Sequence, residues 1–129
     1  MSTIFSKIIR GEIPCHKIAE DDRFLAFLDV RPVKPGHTLV IPKQEVDYLF
    51  DLDDELLGGI MVFARPIAKA IGQVVPCAKV GVTVVGLEVR HAHVHLIPIN
   101  GISDMNFALA RAEDPEKLAD MAAKIRALL

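Results

Sequence analysis

Cysteine is scarce in this 129-residue chain: Cys15 and Cys77 stand far apart, and no Cys-x-x-Cys occurs. That excludes a disulfide framework and fits two free or buried thiols in a reducing cytosol. Long apolar runs are missing too. No stretch reaches the roughly 18 residues that a membrane helix needs. The opening residues, Met1-Ser2-Thr3-Ile4-Phe5-Ser6-Lys7-Ile8-Ile9-Arg10, lack the apolar core of a signal peptide. A cytoplasmic protein with no membrane partner is expected. An excess of positive charge is also absent, with 15 Lys plus Arg against 17 Asp plus Glu and a formal charge of −2. Proteins that coat a nucleic-acid duplex are normally basic, so that partner class is disfavoured. A small phosphate-bearing ligand stays possible, because one local site can be positive on a near-neutral protein. Repeats, low-complexity tracts and Ser/Gly-rich linkers do not occur.

Apolar residues make up 51% and charged residues 25%, a balance typical of globular proteins. One domain over residues 1–129 is expected, burying roughly two-thirds of the surface its unfolded chain exposes. Neither disulfide nor metal is needed for it to fold. The opening residues 3–9 suit a short helix, capped by Ser2 or Thr3 and stopped by Gly11. Strands are expected at 16–19, at 24–30 between Asp21-Asp22 and Pro32, and at 37–41 between Pro35-Gly36 and Pro42. Leu56, Ile60, Phe63, Ile67 and Ile71 recur at helical spacing. Asp53 or Asp54 can cap this helix. Pro66 predicts a kink or break in it, and Gly72 and Pro76 predict its end. Residues 80–89 read as a central strand and 91–99 as its neighbour. Asp114-Pro115-Glu116 opens a last amphipathic helix carrying Leu118, Met121, Ala122, Ile125 and Leu128. Strands, long helix, strands, helix: this order predicts an α+β fold with an antiparallel sheet.

Three of the five histidines fall within five residues, at His91, His93 and His95. Strand geometry places alternate residues on one face, so the three rings point one way while Ala92, Val94 and Leu96 pack on the other. Packing explains this poorly, because each buried ring nitrogen left without a partner costs about 1–3 kcal/mol. Two chemistries compete. Three imidazoles can ligate zinc, but the first and third lie about 13 Å apart on a straight strand, too far to share one ion. A two-histidine metal site would need a carboxylate or His37 from elsewhere. Alternatively, a neutral imidazole is a nucleophile for phosphorus. Its attacking nitrogen must be bare, so its other nitrogen must carry the proton. Flanking rings would then donate to the non-bridging oxygens as charge builds.

The triplet His91-Ala92-His93-Val94-His95-Leu96-Ile97 resembles the His-x-His-x-His-x-x signature of the histidine triad nucleotide hydrolases and transferases. The likeness spans residues 3–100. It includes Ile4-Phe5-Ser6-Lys7-Ile8-Ile9, Gly11-Glu12-Ile13-Pro14, Phe27-Leu28-Asp29-Val30-Arg31-Pro32 and Pro35-Gly36-His37-Thr38-Leu39-Val40-Ile41-Pro42-Lys43. The resemblance implies a homodimer, a sheet of about five strands per subunit and no cofactor. It implies that His93 attacks the α-phosphate, that His95 contacts it, that the backbone of His91 orients His93, and that His37 is the fourth histidine of the site. Asp29 would take the ribose hydroxyls. Phe5, Ile8, Phe27, Leu28, Val30 and Leu39 would form the apolar cleft around the base, with Gly86 beside the nucleotide. Implied substrates are phosphoramidates, acyl-adenylates or dinucleoside polyphosphates.

Departures from the family pattern bear on metal and leaving group. The positions of the family's zinc-binding Cys-x-x-Cys and histidine are here Thr3, Ser6 and Glu45, so no structural zinc is expected. The usual Gly-Gln-Ser-Val before the triplet is Gly86-Leu87-Glu88-Val89, and an upstream Asn is Val80. Leu87 makes no polar contact. Glu88 adds a negative charge, as a general acid if its pKa is raised or as a plain solvent-facing residue. Gly81 and Gly86 have Gly-x-x-x-x-Gly spacing, but no Lys-Ser/Thr follows, so this is no phosphate loop. Besides the hydrolase, a nucleotide-binding regulator with little turnover and a metalloenzyme using His91, His93 and His37 remain open.

Overall fold

A computed structural model describes residues 3–129. One antiparallel sheet in the order β1-β2-β3-β5-β4 is built from β1 (Lys17–Glu20), β2 (Phe24–Leu28), β3 (Thr38–Pro42), β4 (Lys79–Thr83) and β5 (Val94–Ile99). Three α-helices accompany it: α1 (Ile4–Ile9), α2 (Asp54–Val74) and α3 (Pro115–Arg126). This is the expected α+β class, with alternate residues dividing the sheet into two faces. Phe24, Ala26, Leu28, Val40, Val94 and Leu96 pack against α2 and α3. Leu25, Phe27, Leu39 and Ile41 face the other way, where Phe5 of α1 covers them. The site lies on this second face.

Helix α1 begins at Thr3, whose hydroxyl accepts the Ser6 N–H at 3.1 Å; Ser2, the other expected cap, lies outside the described residues. Asp53 caps α2 by accepting the Leu56 N–H at 2.8 Å. Of the kink or break expected at Pro66, the break does not occur: α2 runs on through it. The ring removes an N–H partner from the carbonyl one turn earlier, at Val62, and both residues are exposed, so water can take that carbonyl. Gly72 likewise lies inside the helix, which ends at Val74 before Pro76. The stripe of Leu56, Ile60, Ile67 and Ile71 is buried in the core, with Phe63 partly buried beside it.

The expected central strand over 80–89 is corrected twice. Only Lys79–Thr83 pairs, and it lies at the sheet edge, on β5 alone. β-branched residues favour any pleated surface, so they do not tell an edge from a centre. Beyond Thr83 the chain leaves the sheet, passes Gly86 at φ +73° and returns at Val94. His91 and His93 therefore precede β5 rather than lying within it. This long irregular connection between two paired strands forms a wall of the site.

Candidate active site

Four histidines converge on the face opposite the helices, and every one is buried: His91 is 0% exposed, His37 1%, His93 6% and His95 7%. Their ring nitrogens are partnered in a way that fixes each tautomer. His91 Nε2 lies 2.7 Å from Pro42 O, an acceptor, so that nitrogen carries the proton. Its Nδ1 is then bare and accepts the Thr3 hydroxyl at 3.2 Å. His93 Nδ1 lies 2.7 Å from His91 O and must donate to it. His93 Nε2 is thereby left bare. The His91 carbonyl thus holds the His93 ring by its Nδ1–H.

The second pair is set the same way. Val33 N–H donates to His37 Nδ1 at 3.0 Å, so His37 carries its proton on Nε2. That proton goes to His95 Nδ1 at 2.9 Å. His95 Nε2 is left as an N–H donor. The site therefore holds a bare nitrogen on His93 and a donor on the neighbouring His95, with ring centroids 4.9 Å apart. This is the division of labour that attack at phosphorus requires. Burial is the main force keeping His95, His37 and His91 neutral. It pushes the His95 pKa down to about 3, helped by His93 and His37. It also lowers His37, where Asp29 partly opposes the shift, and His91, where the bond to Pro42 O and Glu45 oppose it.

A cleft of about 720 Å³ opens over His93 and His95, lined also by Phe5, Asp29, Leu39, Gly86 and Glu88. Asp29 Oδ1 accepts the Arg31 N–H at 2.9 Å, and its Oδ2 lies 3.7 Å from His37 Nε2. The Phe5 ring stands 5.0 Å from His93 and 5.6 Å from Phe27 in edge-on contacts. Phe27 and Ile8 lie among the apolar residues beneath this wall rather than on the cleft surface. Two expected cleft residues are elsewhere. Leu28 points into the core between sheet and helices, because strand alternation sets it opposite Phe27. Val30 is 58% exposed and does not line the cleft. Glu88 is exposed on the cleft wall.

No local pattern points to Phe107. Its ring lies 4.7 Å from that of His95 and 6.3 Å from that of His37, closing the site from the C-terminal side. It sits in a short 3₁₀ turn, Phe107–Leu109, with neither helical nor strand periodicity to flag it.

Two sets of donor atoms lie close together in or beside the site. Thr3, Ser6, Glu45 and His91 form a closed hydrogen-bonded group: Ser6 Oγ donates to Glu45 Oε1, and Thr3 Oγ1 donates to His91 Nδ1. Two neutral hydroxyls with one imidazole and one carboxylate suit zinc poorly, since zinc takes thiolate, imidazole and carboxylate ligands. Asp29, His37 and His95 offer ligand atoms within 4.8 Å of one another. Binding there would need a bare His37 Nε2, which moves its proton to Nδ1, facing the Val33 N–H. Two buried donors would then oppose each other, so this set does not fit a metal either.

The HIT domain family model matches residues 10–101. Adenosine 5'-monophosphoramidase hnt1 of Schizosaccharomyces pombe is 40% identical over 99 residues, covering 76% of this chain and 74% of its own length. A Hit-like protein of Bartonella henselae, described as involved in cell-cycle regulation, superposes with a TM-score of 0.87 at 37% identity, covering 99% of this chain and 97% of that one. A zinc-bound histidine triad family protein of Mycobacterium smegmatis gives a TM-score of 0.83 at 30% identity, covering 99% and 93%.

Proposed function

Because the chain belongs to the HIT domain family, we propose that it is a nucleotide hydrolase or nucleotidyl transferase working at the α-phosphate. The observation that carries this is the 2.7 Å contact from His93 Nδ1 to His91 O, which leaves Nε2 bare above the cleft. Nε2 attacks phosphorus, and a nitrogen–phosphorus bond forms as the bond to the leaving group breaks. The departing atom takes that electron pair and a proton. Water then attacks the same phosphorus. The nitrogen–phosphorus bond breaks, its electron pair returns to Nε2, and nucleoside monophosphate leaves with the water oxygen, the second proton passing to solvent. His95 Nε2–H donates to a non-bridging oxygen, and His37 holds His95 in that tautomer. Glu88 is the candidate proton donor to the leaving group, and Asp29 the acceptor for the ribose hydroxyls. Phe5, Leu39 and Gly86 bound the nucleoside, supported from beneath by Phe27 and Ile8.

Substrates in this reading are nucleoside monophosphate derivatives: phosphoramidates, acyl-adenylates or dinucleoside polyphosphates. The name of the Schizosaccharomyces pombe relative favours the first. The protein acts in the cytoplasm as a homodimer that pairs along the free edge of β4, where Val82 is 46% exposed. A regulatory nucleotide-binding role is the second reading, favoured by Leu87, 83% exposed at the cleft mouth. Incubation with an adenosine phosphoramidate and a dinucleoside tetraphosphate separates the two. AMP release, a nucleotide adduct in quenched intact-mass spectra, and loss of both in His93→Ala are expected of the enzyme. Binding without release supports the regulator. Undiminished release by His93→Ala refutes the mechanism.

A further inference from the structure

Arg31 and Arg111 are the only Lys or Arg residues among the described residues lining the cleft. They come from distant segments that backbone bonds join. Arg111 N–H donates to Pro32 O at 3.3 Å, and Glu113 N–H donates to Val30 O at 3.2 Å. Residues 111–113 thus run antiparallel beside 30–32, next to Asp29. Among the described residues, neither guanidinium has a carboxylate within ion-pair distance. The Arg111 guanidinium is nonetheless held in place, because its Nη1 donates to Ala108 O at 3.3 Å and Ala110 O at 3.1 Å. Its Nη2 and Nε remain available to a ligand.

These charges exceed what one phosphate at His93 needs, since a bare nitrogen and the His95 N–H already serve that group. A guanidinium offers paired N–H donors that match phosphate oxygens. The two flank Asp29 and supply the only guanidinium groups that the described residues bring to the cleft, against the carboxylates of Asp29 and Glu88. We propose that Arg31 and Arg111 form a second anion subsite that takes a further phosphoryl group of the nucleotide. The proposal rests on Asp29 marking the ribose end of the cleft. That further group can be a phosphate on the ribose or one in the 5' chain. The ribose is favoured, because Arg31 follows Asp29 by two residues and its own N–H bonds that carboxylate.

Calorimetric titration of the whole chain with AMP, adenosine 3',5'-bisphosphate and ADP tests this without needing turnover. One charge-assisted pair gained gives about a tenfold tighter Kd. The bisphosphate should therefore bind about tenfold tighter than AMP at low salt, and the advantage should shrink as salt is raised. Arg31→Gln and Arg111→Gln should each lower the ratio of the two Kd values, and together bring it near one. Both side chains are exposed, so neither change empties the core. An advantage shown by ADP instead, and lost in the same variants, keeps the subsite and assigns it to the 5' chain. Equal binding of all three ligands, or an advantage that survives both substitutions, overturns the proposal. A chain that binds the bisphosphate tightly yet releases no AMP refutes the hydrolase alone, whereas one that turns over without any such preference refutes the subsite alone.

Discussion

Acidification from about pH 7 to about pH 5 should cost the fold about 2 kcal/mol through His95 alone. In the folded chain this ring is 7% exposed and its pKa is pushed down to about 3. In an unfolded chain it titrates near 6.5. Between those values the unfolded state holds a proton that the folded state does not, so acid favours unfolding. The contribution is complete above about pH 6.5 and declines as pH falls toward about 3. Each pH unit inside the window is worth about 1.4 kcal/mol, and about one and a half units lie between 6.5 and 5. His37 and His91 are shifted in the same direction, chiefly by burial, so they add to the loss. Most carboxylates stay ionised at pH 5, which keeps their own titration out of the comparison. Urea unfolding followed by circular dichroism reads the effect. With a slope of about 1–3 kcal/mol/M, the midpoint should fall by about 1 M. His95→Gln should unfold with a flatter pH dependence than the parent. A midpoint that is unchanged or higher at pH 5 would refute the claim that these rings are held neutral.

Leu28→Ala should destabilise the fold by about 2–5 kcal/mol while leaving nucleotide affinity in place, because Leu28 packs in the helix-side core; thermal melts and AMP titration check both halves. Gly36→Ala should lower stability by at least about 1–2 kcal/mol. Gly36 adopts φ +94°, and an added Cβ would lie 3.1 Å from Val75 Cγ2; the urea midpoint reports the loss. AMP release should survive exhaustive dialysis against a chelator, since neither donor set described above suits a metal. Activity lost on chelation and restored by zinc would count against that reading.

How far the sequence discloses this molecule depends on which physical signal each residue leaves. The caps Asp53 and Asp114 and the apolar stripe of α2 are local patterns, and the fold keeps both kinds. Other features are decided by tertiary neighbours. Nothing local separates Leu28 from Phe27 as a cleft residue. Their faces follow only from which side α2 covers, and α2 packs on Leu28. Residues 80–89 look like one strand because they are rich in valine, yet only Lys79–Thr83 pairs, and among the described residues it has β5 as its one neighbour. Pro66 predicts a kink or break from a rule about lost hydrogen bonds, but the helix is not broken, because its exposed face lets solvent take the freed carbonyl. Phe107 and Arg111 leave no pattern at all. Arg111 is placed by its backbone bond to Pro32, some 80 positions earlier in the chain, and Phe107 lies four residues before it.

Stability and reactivity make the same demand on the histidines. Four buried imidazoles would each cost about 1–3 kcal/mol for a ring nitrogen left unpartnered. Among the described residues, no buried side-chain nitrogen or oxygen lacks a partner. Pro42 O, His91 O and Val33 N–H each fix one proton, and the fixed tautomers are those that leave His93 Nε2 bare and His95 Nε2 protonated. A substitution that strips one of these partners should therefore cost stability and disturb the reacting groups together. Thr3→Val is the most direct trial, because it replaces the hydroxyl on His91 Nδ1 with a methyl group of similar size. The bare nitrogen, fully buried, would lose its only donor, at about 1–3 kcal/mol, and α1 would lose the cap on Ser6 N–H, at about 1 kcal/mol more. His91 would then be free to turn. Its carbonyl, which holds His93, would be less well fixed, so kcat should fall while KM changes little. If Thr3→Val lowered stability but left kcat intact, the Thr3–His91 contact would be structural only, and the link from helix α1 to the attacking nitrogen would be lost.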